Sequence, residues 1–550
     1  MQLSAADSRK KKRRRRRRRR ELPLPASCSS RSAAGAAQGQ CQCCCSSPDG
    51  GGGGLVATTM PPRAFSRCST GGASCAPAPA VRLGTQQHKL TMLLVALALL
   101  LVLPPPHLVA AVSVSVSPRR MARIQSHLDR INKTPVRSIQ SVDGDTIDCV
   151  AAHEQHGLDH PLLRTHTVQT EPPEAPMWRG RGGGFVVVPA AAGGGGAATA
   201  TATTGSSSSS RNNDRRQGAW QTWHHGGHCP RGTVAIRRTT ADDVLRARSI
   251  SRFGRKRRHR RNAAAAVAAA RAANAPDVIT GNGHEHAIAY TAPSQQQVYG
   301  AKATINVWDP AIEESNGFSL SQLWILSGSF NGSDLNSIEA GWQVSPELYG
   351  DSRPRLFTYW TSDAYEATGC YNALCPGFVQ TSSRIAIGAS ISPVSSAGGA
   401  QYDMTLLIWK DPKLGNWWLS YGDQLVGYWP AQLFTHLSDH ATMVEWGGEV
   451  VDTRPAGVHT ATQMGSGRFA GEGFGRASYF RNLETVDADN SLAEVALDAI
   501  QTLAENPACY DIRKAYDEDD DGGGGGQHSA RGGWGTHFYY GGPGHNPACP

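Results

Sequence analysis

Two glutamates stand out for where they sit in an alternation of apolar and polar residues. In Leu335–Asp351, LNSIEAGWQVSPELYGD, the residues Ile338, Ala340, Trp342 and Val344 fall on one face of a strand of period two. Ser337, Glu339, Gly341 and Gln343 fall on the other. Met443–Val451, MVEWGGEVV, repeats the design: Val444, Trp446, Gly448 and Val450 against Glu445, Gly447 and Glu449. Each segment sets acids among glycines on one strand face, which should leave room above the sheet. If two such strands lie side by side, about 4.8 Å apart, their carboxyls cannot both ionise easily. One pKa rises, and the pair divides into an acid and a base. Such a pair hydrolyses by activating water and works best in acid. Gln343 is a candidate donor to an oxyanion on the same face. Glu445, one pleat from Glu449, is expected to face solvent.

Other residue types could serve the same groove. Trp342, Trp360, Trp417, Trp418, Trp429 and Trp446 offer flat aromatic faces that could line a substrate groove, although a tryptophan in a β-protein is more often core. Trp342 and Trp446 are taken as substrate-binding candidates, with Tyr428 as a groove hydroxyl. His436 and His440 have metal-ligand spacing only on a helix, and no metal or cofactor is expected.

These residues must be held by a framework, and its pattern is clear. ATINVW, QLWILSGSF, RLFTYWTS, YDMTLLIW, NWWLSYG and ASYFRNLETVD are short strand signals separated by turn residues. They predict an all-β protein, an antiparallel sandwich or barrel. Cys370 and Cys375, in CYNALC, can staple one loop. Cys509 and Cys549 can tie back the C-terminal tail. Asn331 and Asn132 begin glycosylation sequons.

The first half differs. Residues 1–274 hold 42 Lys+Arg against 14 Asp+Glu, a net +28; the remainder holds 13 against 31, a net −18. The basic half could meet nucleic acid or an acidic membrane, or lie on the acidic half as a pro-segment. Its N-terminus, with RKKKRRRRRRRR at 9–20 and Cys41, Cys43, Cys44 and Cys45, reads as a disordered extension. Leu93–Leu103 is an apolar run of 11 residues. It is too short to span a bilayer, where about 20 are needed, and it fits a signal peptide. Met121, Ile124, Leu128 and Ile131 have helical spacing, and Val136, Ile139 and Val142 before Asp143-Gly144 suggest a hairpin. Cys229 is a candidate partner for Cys149. A second basic run, SRFGRKRRHRR at 251–261, has the look of a processing site between domains.

Residues 285–550 resemble the neprosin family of plant secreted peptidases, through SIEAGWQVSPELYGDSRPRLFTYWTSD, GCYNALCPGFVQT, EWGGEV, TQMGSGRFAGEGFGRASYFRN and FYYGGPG. Residues 121–170 and 228–238 resemble its activation peptide, through DGDTIDCV, DHPLL and CPRGTVAIRR. The resemblance implies an antiparallel β-sandwich and a glutamic peptidase that cleaves after proline in acid. It implies Glu339 and Glu449 as the catalytic pair, with either one as base, and disulfides Cys370–Cys375 and Cys509–Cys549. The organisation expected is a disordered extension (1–91), a signal-like segment (92–111), a pro-domain (112–238) with a flexible insertion (180–217), a basic and alanine-rich linker (239–278), and the peptidase domain (279–550). The partners expected are proline-containing substrates and the chain's own pro-segment, with no nucleic acid and no stable membrane span. Secretion, to the apoplast or the vacuole, is expected; a membrane anchor would need the N-terminal extension to be retained. A glycoside hydrolase with two carboxylates and a non-catalytic wall-binding module are the competing readings.

Overall fold

A computed structural model describes residues 116–179, 185–187, 220–247, 249–256, 283–291, 297–329, 334–451, 458–515 and 534–550. The extension, the signal-like segment, most of the 180–217 insertion, the basic residues after Lys256 and the Asn331 sequon lie outside them. Among the described residues no helix is long and apolar enough to cross a membrane.

The N-terminal part begins with helix α1 (Pro118–Ile131). Ser117 caps it, a proline opens it, and it buries Ile124, Leu128 and Ile131 on one stripe. Met121, also in the helical spacing, is exposed. Strands β1 (Pro135–Gln140), β2 (Thr146–Ala151) and β6 (Thr233–Arg237) form a small antiparallel sheet in the order β1-β2-β6. The hairpin turns at Asp143-Gly144, but Val136 and Val142 point to solvent and only Ile139 is buried. Cys149 is disulfide-bonded to Cys229.

The rest is two stacked sheets. One has six strands in the order β11 (Arg355–Thr361), β10 (Asn336–Val344), β9 (Ser319–Ser327), β17 (Met443–Val451), β7 (His284–Thr291) and β20 (Ile500–Ala504). The other runs β12 (Val379–Gln380), β16 (Gln424–Trp429), β15 (Trp417–Tyr421), β14 (Asp403–Lys410), β8 (Gly300–Asn306), β18 (Ser478–Val486), β19 (Ser491–Glu494), β3 (Met177–Arg179), β4 (Phe185–Val187), with β22 (His537–Gly541) and β21 (Asp511–Ala515) beside β18. The faces between the sheets make one core. Ile325, Ile338, Ala340, Val444 and Val450 from the first sheet share it with Ala303, Ile305, Leu406, Ile408 and Trp418 from the second. Cys370–Cys375 and Cys509–Cys549 are both bonded.

The N-terminal part is stitched into this sandwich. Strand β3 pairs in parallel with β19, and β5 (Trp220–Gln221) pairs with β13 (Ile391–Ser392). Arg355 forms a buried ion pair with Asp145. Two sequence expectations are corrected here. Within the insertion read as flexible, Phe185–Val187 pairs as an antiparallel strand with β3. Within the region read as linker, α2 (Ala241–Arg246) is closed by a capping box between Thr240 and Asp243, and Val244 and Phe253 pack on Ile124 and Leu128.

Candidate active site

Pairing register decides which side chains share a face, since directly opposed residues in a sheet point the same way. On β10, β9 and β17 this sets three rows on the face turned away from the sandwich core. The first is Glu339, Trp324 and Glu445; the second is Gly341, Gln322 and Gly447; the third is Gln343, Leu320 and Glu449. Glu339 and Glu449 are thus on one face but not on adjacent strands. Strand β9 separates them, and the pair lies diagonally across it. At about 4.8 Å per strand this puts roughly 10 Å between their backbones across the sheet. Nor is the space over the glycines simply open. A Cβ on Gly341 would lie 2.0 Å from the Ser321 carbonyl oxygen, so glycine there lets β9 approach closely.

Glu339 is fully buried. Its Oε1 accepts from Ser337 Oγ at 2.8 Å and from the Tyr365 hydroxyl at 2.7 Å. Its Oε2 accepts from Lys256 Nζ at 2.7 Å. Ser337 is two residues away on the same strand face. Tyr365 comes from the loop after β11, where Ala364 and Tyr365 hold left-handed φ values of 53° and 62°. Such values are strained for residues with a Cβ. The Asp363 carboxylate holds the loop in place by accepting from the backbone N–H groups of Glu366, Ala367 and Thr368 and from the Thr368 hydroxyl. Burial, then the charge of Glu339, raises the Tyr365 pKa well above its usual value, so the phenol keeps its proton and donates.

Glu449, 3% exposed, is hydrogen-bonded through Oε1 to His284 Nδ1, and His286 Nε2 is 3.9 Å from the same oxygen. His286 stands directly opposite Glu449 on β7. Burial would raise the Glu449 pKa, but the charge of Lys256, the His284 hydrogen bond and the fields of His284 and His286 outweigh it. The carboxyl is held well below the usual range. Burial likewise works to discharge His286, and Glu505, Glu449 and Glu445 overcome it, holding the imidazole above its ordinary pKa.

Lys256 lies in a segment that reaches this face. Tyr371 N–H donates to the Gly254 carbonyl at 2.7 Å, and Lys256 N–H donates to the Tyr359 hydroxyl at 3.3 Å. The ammonium sits 4.9 Å from the Tyr365 ring centre and 5.2 Å from that of Tyr359, in cation–π range. Burial opposes its charge; Glu339 and Glu449 outweigh burial and raise its pKa. One cation therefore answers both carboxylates.

Several residues chosen from sequence lie elsewhere. Trp342 and Trp446 are fully buried in the core between the sheets, on the opposite face of β10 and β17 from the acids. The period-two pattern had already put them there. Tyr428 is in the second sheet, where its hydroxyl is 2.7 Å from His166 Nε2 and accepts from the Gln169 N–H. Gln343 does share the acid face and is 1% exposed. Glu445, expected in solvent, is 4% exposed, because the face it occupies is covered. Asn132 caps α1 with its amide bonded on both sides to the Thr239 backbone, a contact that a glycan on Nδ2 would break. His436 lies beside Asp334 and His440 beside Asp439, and among the described residues the two do not share a partner. His459, Cys509 and Cys549 group together, but both thiols are committed to their disulfide.

Sequence reading missed Lys256, Tyr365, His284, His286 and Gln322. Only the His-Glu-His alternation at 284–286, with both imidazoles on one strand face, carried a local signal.

The Neprosin family model matches residues 315–543, and the Neprosin activation peptide model matches residues 138–290. Among solved structures, a scytalido-glutamic peptidase bound to a peptide-based transition state analog is similar at 12% identity and a TM-score of 0.25, covering 48% of this chain and 98% of that one. A homodimeric agglutinin from chicken liver is similar at 10% identity and a TM-score of 0.17, covering 30% and 95%. A beta-porphyranase from the human gut bacterium Bacteroides plebeius is similar at 11% identity and a TM-score of 0.18, covering 30% and 56%.

Proposed function

The chain belongs to the neprosin family and carries that family's activation peptide, and from this we propose that it is the secreted zymogen of an acid-active glutamic endopeptidase cutting on the C-terminal side of proline. One observation carries the reading. Lys256, within the activation-peptide match, bonds to Glu339 while its charge also acts on Glu449. A buried acid pair capped by one cation of the same chain is a site held shut.

The roles follow from what remains when Lys256 withdraws. Glu449 keeps His284 and His286, which favour its carboxylate. Glu339 keeps Ser337 and Tyr365 as donors to Oε1, and its Oε2 is left facing the groove. Glu449 is therefore the base. It takes a proton from water as the oxygen attacks the carbonyl carbon of the Pro–X bond. Glu339 carries a proton on Oε2, where the ammonium sat, and directs it at the carbonyl oxygen as negative charge develops there. Collapse of the tetrahedral intermediate breaks the C–N bond, and the proton held by Glu449 passes to the leaving amine. The three disulfides suit an oxidising compartment, and secretion is part of the proposal.

The test is direct. Protein secreted from a gene starting at Met92 is brought to acid pH and given a proline-containing peptide and its Pro→Ala analogue, with fragments read by mass. Cleavage after proline alone, lost in both Glu339→Gln and Glu449→Gln, is the expected result. Cleavage that ignores the Pro→Ala change would refute the specificity, and persistence of activity in either variant would refute the dyad.

A further inference from the structure

Gln322 is the least explained residue on the acid face. It sits in β9, the strand between the two carboxylates, in the middle row, with Gly341 and Gly447 as its Cα partners on either side. It is fully buried, and among the described residues neither Nε2 nor Oε1 has a hydrogen-bond partner. Buried polar side-chain atoms are nearly always paired, and an amide orphaned at both ends asks for a role. The diagonal from Glu339 to Glu449 passes over this row. A scissile bond reached by both acids must lie there, and the carboxamide is what it meets.

The amide offers one acceptor and a donor side by side. In an extended peptide, the N–H and C=O of a single residue point to the same side of the chain. That pair is the matching partner. Proline has no N–H and cannot supply it. We infer that Gln322 is a main-chain clamp of the substrate: Oε1 accepts the N–H, and Nε2 donates to the C=O, of one non-proline residue beside the scissile bond. The substrate is then an extended peptide laid across β9. This rests on the peptidase reading above, and it names how that site recognises backbone.

The test uses the full-length secreted chain after acid treatment, as wild type and as Gln322→Met, which keeps the side-chain volume. Cleavage is measured on one proline peptide and on analogues N-methylated at each non-proline position near the cut. In wild type, methylation at one position raises KM by about tenfold, the worth of one hydrogen bond. In Gln322→Met, which loses both hydrogen bonds, the unmethylated peptide shows a KM at least that high, methylation there changes nothing more, and kcat stays within about twofold. The thermal midpoint of the variant is equal to or above that of wild type, since an unpaired buried amide has been replaced by an apolar group. If the same methylation penalty survives in Gln322→Met, the clamp is refuted. If wild type cleaves no peptide, the peptidase reading fails first. Calorimetric binding of the same peptides to Glu449→Gln, with and without Gln322→Met, then decides the clamp by the same comparison.

Discussion

Lys256 Nζ donates to Glu339 Oε2 over 2.7 Å and so joins two residues 83 positions apart, one in a multibasic segment and one in the middle of a buried strand. The lysine is 11% exposed and the glutamate side chain is fully buried. Removing one member of a buried pair typically costs about 3–5 kcal/mol, because the other charge is left alone. The first prediction is that Lys256→Ala lowers the thermal midpoint of the precursor at pH 7 and lets it release fragments there without acid. A precursor that stays intact at pH 7 and melts as wild type does would show the contact to be incidental.

The second prediction concerns pH. Glu449 is depressed while the segment is docked, with burial opposing and Lys256, His284 and His286 prevailing. A depressed carboxyl stabilises the docked form above its undocked pKa and loses that contribution as pH falls through the docked value. Lys256 is raised, so its contribution is complete below about 10.4 and is lost only as pH climbs past the raised value. Docking is therefore firmest from about pH 5 to 10 and loosens in acid through Glu449. Thermal melts of the precursor between neutral and strongly acid pH should fall steeply in wild type and less steeply in Glu449→Gln. Parallel curves would remove Glu449 from the linkage.

A third expectation follows from the imidazoles. His286 and His284 both favour the Glu449 carboxylate. In His286→Gln the carboxyl pKa rises, and the acid limb of kcat/KM moves to higher pH by about one unit. A profile that drops in height without moving would assign His286 to packing.

Backbone approach gives the fourth. The Gly341→Ala methyl would meet the Ser321 carbonyl at 2.0 Å. Overpacking of this kind destabilises by about 1–3 kcal/mol. Urea unfolding of the variant should show an unfolding free energy lowered by that amount, with the midpoint shifted down accordingly, and an unchanged midpoint would mean the strands can part without loss.

The strand alternation in IEAGWQV and VEWGGEV was enough to place Glu339 and Glu449 on the face away from Trp342 and Trp446, since successive side chains on a strand alternate. The all-β architecture was legible for the same reason, as were the helix before Ile131 and the hairpin at Asp143-Gly144. What the alternation could not convey was neighbourhood. It invited the two acid strands to lie side by side, and β9 lies between them. Tyr428 and the tryptophans were chosen by residue type, and type does not say which sheet or which face a side chain joins.

The covering of the face was hidden for a related reason. Lys256 read as one charge in a solvated basic run, because nothing local distinguishes it from Arg255 or Arg257. It becomes particular only through Glu339, Tyr359 and Tyr365, which arrive from distant parts of the chain. By itself, then, the amino-acid sequence determined the fold class, the face of each strand and the family, because these rest on local period and on long matched motifs. The tertiary structure alone decided that β9 divides the acids, that His284 and His286 stand beside Glu449, that Gln322 between the acids has no partner among the described residues, and that Lys256 bonds to Glu339. Strand pairing and the docking of a distant segment are non-local contacts, set by how whole faces fit together, and no window of residues carries them.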